Sequence, residues 1–242
     1  MDKLNKTAIA PYTPGEVHVF GTLASTNDTA LQMTNAPHGT VVLAEGQTAG
    51  RGRQARSFFS PPACGIYMSV ILHREQLQFR PISLVTALAG VAVCQAVEGF
   101  GIAPQLKWVN DVYLEGKKVC GILAEGTGAH IVVGIGINFT KPPGGYPGEI
   151  AHKAGHLFDT APMSRNEMVG RVLKYLIQPH NSAGILEAYK SRLMMRGEAV
   201  TVHGAQGDYV ATVLDVNSQG GLVVRRGDEV LHLVGGEISV SM

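Results

Sequence analysis

The 242-residue chain has little cysteine, few aromatic rings and almost no net charge. Its three cysteines (Cys64, Cys94, Cys120) are widely spaced with no CxxC pair, which speaks against a disulfide framework or a zinc site and suits a reducing cytoplasm. The nine histidines form no HExxH motif, so no metal is expected to be held by the protein alone. A formal net charge of +1 argues against a general nucleic-acid binder, and no DNA partner is expected. The longest apolar run, residues 82–97, is broken by Gln95 and falls short of the roughly 20 residues that span a bilayer. The opening MDKLNKTAIAPYTP has no unbroken apolar core, so no signal peptide is read and a cytoplasmic location is expected. GxxxxGK[ST] is missing too, which removes a P-loop.

One absence is local. From Gln47 to Arg74 there is no Asp or Glu, while four arginines fall in that window. Three of them, Arg51, Arg53 and Arg56, sit in TAGRGRQARSFF among glycines and just before Phe58 and Phe59.

What is present is a hydrophobic fraction of 45%, enough for a substantial core. Residues 16–23, 40–45 and 65–72 read as strands, and STNDTALQM (25–33) as a short helix opened by N-cap residue types. Pro81 opens a stretch apolar nearly all round, which predicts a buried helix with proline in its first turn. Residues 105–109, 112–125 and 129–138 read as further strands, with Glu115-Gly116 as a hairpin turn. KPPGGYPG (141–148) is a loop by composition. Ser164 and Glu167 predict a capping box and a helix to about Gln178; a second helix is expected over 184–194. From Glu198 onward short strands alternate with Gly- and Asp-containing turns, the pattern of a small barrel, and a domain boundary is placed near 195.

The GRGR segment admits three readings. Gly50, Gly52 and Ala55 satisfy GxGxxG/A after a strand, but a dinucleotide fingerprint must open a helix, and Pro61-Pro62 stand in the way. A solvated loop is the bland alternative. A mobile cationic flap over an anionic ligand explains more, because glycines let backbone N–H groups turn toward an anion and Phe58-Phe59 give an apolar anchor.

A second cluster lies in KWVNDVYLEGKKVCGILAE (107–125), with three lysines, the sole tryptophan and Asn110-Asp111. Strict alternation puts Lys118 and Cys120 on one face and Lys117 and Val119 on the other. Edge-protecting lysines are the competing explanation, and a lone Trp108 is more often core than ligand contact. In GIGIN (134–138), Gly134, Gly136 and Asn138 share a face; glycines there mark the close approach of a ligand or of a packed helix.

STN (25–27), GQTAGRGR (46–53), KWVNDVYL (107–114), KKVCGILAE (117–125), GIGIN (134–138) and GGEIS (235–239) occur in the order seen in biotin protein ligases, also called biotin–[acetyl-CoA carboxylase] ligases. The chain resembles that family over about 16–240. The resemblance implies an α+β fold with a class II tRNA-synthetase-like mixed sheet and flanking helices (1–194), followed by a small SH3-like barrel (195–242). It implies substrates biotin and ATP, the latter with Mg2+, an intermediate biotinyl-5′-AMP, and transfer of the biotinyl group to a lysine of a carboxylase's biotin carboxyl carrier domain.

By the same resemblance, Lys118 contacts the reacting carboxylate and the α-phosphate, while Arg51 and Arg53 close on the intermediate with Gly50 and Gly52 between them. Ser25, Thr26, Asn27 and Gln47 would read the ureido group, and Gly121, Gly134 and Gly136 would leave room for the fused rings. Asn138 would lie near the adenylate, Asn110 and Asp111 near phosphate and magnesium, and Phe58 over the ligand as an apolar wall. Val109 stands where many members have proline, and Gln54 and Ala55 where many have a basic residue and glycine. About 15 residues precede the first strand, too few for the helix-turn-helix of repressor members, so no repressor role is expected. Two alternatives remain: a lipoyl- or octanoyl-transferring relative, which has no need of this flap, and a non-catalytic biotin sensor, which has no use for Lys118 or the arginines. A homodimer through a sheet edge is left open.

Overall fold

The computed structural model describes residues 2–79, 81–204, 207–235 and 239–241. After a single turn of helix, α1 (Lys6–Ile9), the chain enters a seven-stranded sheet. Its strands are β1 (Val17–Leu23), β2 (Thr40–Gln47), β3 (Gly65–His73), β4 (Gln105–Lys107), β5 (Asp111–Leu114), β6 (Lys117–Thr127) and β7 (His130–Asn138). Their spatial order is β1-β2-β3-β7-β6-β5-β4. β1 and β2 run parallel and every other pair is antiparallel, so the sheet is mixed as expected. The parallel pair is joined through α2 (Thr26–Gln32), whose N-cap Ser25 accepts the Asp28 amide at 3.4 Å.

β3 is buried along nearly its whole length, which is why GIYMSVIL reads as a continuous apolar run rather than an alternating one. One face is covered by α3 (Ile82–Glu98), and α3 is itself covered by α5 (Arg165–Ile177) and α6 (Ser182–Lys190); a short helix, α4 (Gly148–Ala151), precedes these two. Contact on both sides explains why α3 has no polar face. On the opposite face, among the described residues, α2 is the helix that packs directly on the sheet, seating Ala30 on Val42, Ile71 and Val132. That face of the sheet is where the site forms.

Five further strands, β8 (Ala199–Gly204), β9 (Gly207–Val216), β10 (Leu222–Arg226), β11 (Glu229–Leu233) and β12 (Ser239–Ser241), make an antiparallel sheet in the order β11-β10-β9-β8-β12. This is the second sheet that the SH3-like expectation requires. Trp108 is buried, its Nε1 donating to the Gly220 carbonyl at 3.0 Å, and it also lines the cavity described below. Lys190 on α6 pairs with Asp215 at 2.8 Å, so the second sheet is tied to α6 and to the β4–β5 connection by directional bonds as well as buried apolar contact.

Three local expectations shift. Pro81 is extended (ψ 130°) and caps α3 rather than joining its first turn. The box before α5 is half formed: Ser164 accepts the Glu167 amide at 3.1 Å, but the Glu167 carboxylate turns to Arg171 instead. α6 begins at Ser182 because Asn181 caps it, and ends at Lys190 because residues 192–194 leave to pair with Leu106. Residues 236–238 of GGEIS lie outside the described residues.

Candidate active site

The α2 face of the sheet floors a cavity of about 640 Å³. β6 contributes Gly121 and Leu123 to the floor, and β7 contributes Gly134, Gly136 and Asn138, the face that alternation assigns to GIGIN. The lysine assignment needs correcting. The β5–β6 register slips by one residue between Val112 and Tyr113, a bulge that puts two β6 residues against one on β5. Val119 and Cys120 therefore both enter the core, and Lys118 joins Gly121 in the cavity instead of sharing a face with Cys120. The lysine stem lies over the glycine: a Cβ built on Gly121 would come 3.3 Å from Lys118 Nζ.

At one end of the cavity neutral polar side chains are already partnered within the protein. Ser25, Thr26 and Asn27 are buried at the start of α2. Gln47 Oε1 accepts from the Thr26 amide at 2.8 Å and from its hydroxyl at 3.2 Å, while Gln47 Nε2 donates to Ser60 at 2.9 Å. Asn27 Nδ2 donates to the Leu123 carbonyl and to Glu125 Oε2 at 2.7 Å, and Asn27 Oδ1 lies 2.6 Å from the Ser69 hydroxyl. A Cβ at Gly134 would meet Asn27 Oδ1 at 2.2 Å, and one at Gly136 would meet the Phe58 ring at 2.5 Å. The space left by these two glycines is thus taken by the Asn27 amide and by Phe58.

The other end is charged. Lys118 Nζ stands 2.6 Å from Asp111 Oδ1. Lys107 lies beside them, 5.6 Å from the centre of the Tyr113 ring. Burial, reinforced by Lys118 and Arg56 and opposed by Asp111, holds the Lys107 ammonium below the ordinary lysine range. Asn110 donates to the Ile122 carbonyl at 3.0 Å and accepts from Arg53 at 3.4 Å, and Arg53 also donates to the Gly235 carbonyl of the C-terminal segment. Burial lowers the Arg53 pKa, with Asp111 pulling the other way. Asn138 lines the cavity and donates to the Gly155 carbonyl at 2.8 Å, fastening the wall made by Tyr146, Ile150 and Lys153.

Between the ends runs the flap, a narrow turn closed by Gly52 N–H to Arg56 O at 2.7 Å and Phe58 N–H to Gly50 O at 2.8 Å. The Gly52 amide is thereby used within the turn, not offered to an anion. Gly50 does not line the cavity; a Cβ there would strike the Phe58 carbonyl at 2.6 Å, so its role is to let the strands of the flap close. Gln54 and Ala55 form the tip with φ of 53° and 55°, the left-handed region that favours glycine. No helix follows before β3 at Gly65, so the dinucleotide reading fails. The two flap arginines diverge. Arg53 goes to the charged end, whereas Arg51 reaches Glu125 (2.9 and 3.1 Å) and Asp28 (2.6 Å) at the Asn27 end. Burial would lower the Arg51 pKa, but those two carboxylates outweigh it and raise it.

Sequence reasoning missed Ser69, Asp28, Glu125 and Tyr146. Ser69 had a faint signal, a lone hydroxyl inside an apolar strand. Glu125 follows Gly121 and Leu123 at period 2 on the floor of the site. Among the described residues no group of three or more His, Cys, Asp or Glu could hold a metal ion, and no helix is long and apolar enough to cross a membrane.

Fold and site define a class: ligases whose mixed sheet floors a cavity with one hydrogen-bonding end and one cationic end beneath a basic flap. Comparison with known proteins narrows it. The model of the biotin/lipoate A/B protein ligase family matches residues 19–138. The bifunctional ligase/repressor BirA of Bacillus subtilis is 30% identical over 90% of this chain and 72% of its own. The biotin–[acetyl-CoA-carboxylase] ligase of Mycobacterium tuberculosis is 33% identical over 83% and 78%. The biotin protein ligase of Aquifex aeolicus, solved in complex with biotin and ATP, superimposes with a TM-score of 0.79 at 27% identity, covering 93% of this chain and 98% of that one. The chain belongs to the biotin/lipoate A/B protein ligase family and is an enzyme of its biotin protein ligase class.

Proposed function

We propose that the chain activates biotin with MgATP to biotinyl-5′-AMP and passes the biotinyl group to a lysine of a biotin carboxyl carrier domain. Residues 1–194 form the catalytic unit and 195–242 an accessory unit that meets the flap through Gly235. Three free, buried cysteines fit work in the cytoplasm.

The observation that carries this reading is the placement of the Lys118 ammonium over the Gly121 floor, in the same cavity as the Asn27 end. Biotin has a neutral ureido ring at one end and a carboxylate at the other, and the cavity has the matching polarity. Asn27, Thr26 and Gln47 offer fixed donors and acceptors to the ring. The chain of the vitamin then runs across the glycine floor with its carboxylate toward Lys118.

In the first step a carboxylate oxygen attacks the α-phosphorus, and the bond from that phosphorus to the pyrophosphate oxygen breaks. Two anions brought together repel by about 4 kcal/mol per unit-charge pair at 4 Å and an effective dielectric near 20. Lys118, Lys107 and Arg53 are cations held in place beforehand, which removes that repulsion where the new bond forms. Asp111 Oδ1 is buried with no hydrogen bond beyond its ion pair with Lys118, and one such carboxylate fits a magnesium ion ligated mainly by phosphate oxygens. That ion would add positive charge at the phosphates. In the second step the carrier's amine attacks the acyl carbon, the bond to AMP breaks, and the amine's proton leaves to solvent. Between the steps the mixed anhydride must be kept from water, and Phe58 with the closed flap supplies the cover.

The test is incubation with biotin, MgATP and a carrier domain, with labelling read by streptavidin blot. Biotinylated carrier is expected. Its absence, in an enzyme that instead transfers a lipoyl or octanoyl group, would overturn the reading.

A further inference from the structure

We propose that Glu125 is a positioning residue that latches the flap and at the same time fixes the amide that reads the ring, so that one carboxylate couples flap closure to the ring end of the site. The biotin half of this inference rests on the function proposed above; the latch itself does not.

The geometry is specific. Glu125 Oε2 receives Asn27 Nδ2 at 2.7 Å and Arg51 Nη2 at 2.9 Å, while Oε1 receives Arg51 Nη1 at 3.1 Å. An end-on fork of two parallel N–H···O bonds from Nη1 and Nη2 is among the strong, geometrically specific pairings of a guanidinium with a carboxylate. Arg51 spends its remaining reach on Asp28, so its charge is balanced by two carboxylates and is not directed at the cationic end. Arg51 therefore holds the flap down, and Arg53 alone of the two is aimed at the reacting charges.

The same carboxylate decides how Asn27 is turned. With Glu125 Oε2 and the Leu123 carbonyl as acceptors, the Nδ2 end can face only β6. The Oδ1 end is then committed to Ser69 and to the gap above Gly134, which is where a donor of the ligand would meet it. Loss of Glu125 would free the amide to flip, and the flap to lift, in one event. An isolated partly exposed ion pair contributes little, but here the pair shares an acceptor with a buried amide, and such networks are non-additive.

The experiment measures hydrogen exchange of flap residues 50–58 in the ligand-free chain, together with KM for biotin and release of free adenylate, read as labelling of bystander proteins. Glu125→Gln keeps an acceptor for Asn27 Nδ2 but loses the charge facing Arg51. Flap exchange is expected to rise about fivefold or more and leakage to increase, with KM for biotin within about twofold of wild type. Glu125→Ala loses both contacts and is expected to add a rise of about tenfold in KM. Combining Arg51→Ala with Glu125→Gln should give no more flap exchange than Arg51→Ala alone, because Arg51→Ala already removes both the Glu125 and the Asp28 contacts. Unchanged exchange in Glu125→Gln, or strictly additive effects in the double variant, overturns the latch. Raised exchange with an unaltered KM in Glu125→Ala overturns the coupling. Because exchange is read without ligand, an enzyme that proved inactive on biotin would sink the functional reading and leave the latch result standing.

Discussion

The two ends of the cavity solve opposite problems. At the Asn27 end, buried neutral groups have their hydrogen bonds assigned within the protein before any ligand arrives, through Gln47, Ser69, Ser60 and Glu125. At the Lys118 end, the cations Lys118, Lys107 and Arg53 stand close together beside Asp111. A neutral ring is distinguished by the direction of fixed dipoles, so orientation must be settled in advance. A reacting carboxylate and phosphate need charge, and crowded like charges remain poised because an anion relieves them. The flap spans both ends, sending Arg51 to one and Arg53 to the other.

Removing charge from the reacting end should produce the largest effect. Lys118→Ala is expected to slow pyrophosphate release about 100-fold or more, the scale of losing one preorganised stabilising group, with an unchanged far-UV circular dichroism spectrum. A smaller break is expected at the other end. Gly134→Ala puts a methyl where Asn27 Oδ1 sits and should raise KM for biotin about 10- to 100-fold, the cost of a misplaced buried hydrogen bond. KM for ATP should stay near wild type. Equal loss in both constants would mean that the two ends are not separate.

Much of this contrast was legible in the sequence. STN, GQTAGRGR and GIGIN pointed to residues that the fold brings to the Asn27 end of the cavity and to the flap, and period 2 put Gly134, Gly136 and Asn138 on one face. Alternation failed at Lys118 because the bulge is a property of the β5–β6 pairing, not of β6 alone. The divergence of Arg51 and Arg53 was hidden for a related reason. Their partners Glu125 and Gly235 lie 74 and 182 residues away, and only the folded sheet brings them to the flap. α6 was extended four residues too far because nothing local reveals that residues 192–194 pair with Leu106.

Two gentler perturbations sharpen the comparison. The pKa of Lys107 is lowered because burial penalises its charged form, so its cation is lost as pH rises through a value below that of an ordinary lysine. The pH profile of adenylation should therefore decline on the alkaline side, and Lys107→Arg should carry that decline to higher pH. The corresponding stability contribution has the opposite sense: a depressed lysine pKa costs folding free energy as pH falls, since the unfolded chain takes up the proton more readily. Thermal melts across the same range would show it. The smallest effect is expected at the flap tip. Ala55→Gly relieves a left-handed residue at about 1 kcal/mol and should slow adenylate leakage about fivefold, with both KM values unchanged.

The most direct measurement is a crystal structure of the enzyme with biotin and a non-hydrolysable ATP analogue. The account predicts the ureido ring beside Asn27 and Thr26, and the vitamin's carboxylate and the α-phosphate within hydrogen-bond reach of Lys118 Nζ. A ligand lying the other way round, with its charged groups beside Asn27 and Lys118 facing solvent, would contradict it.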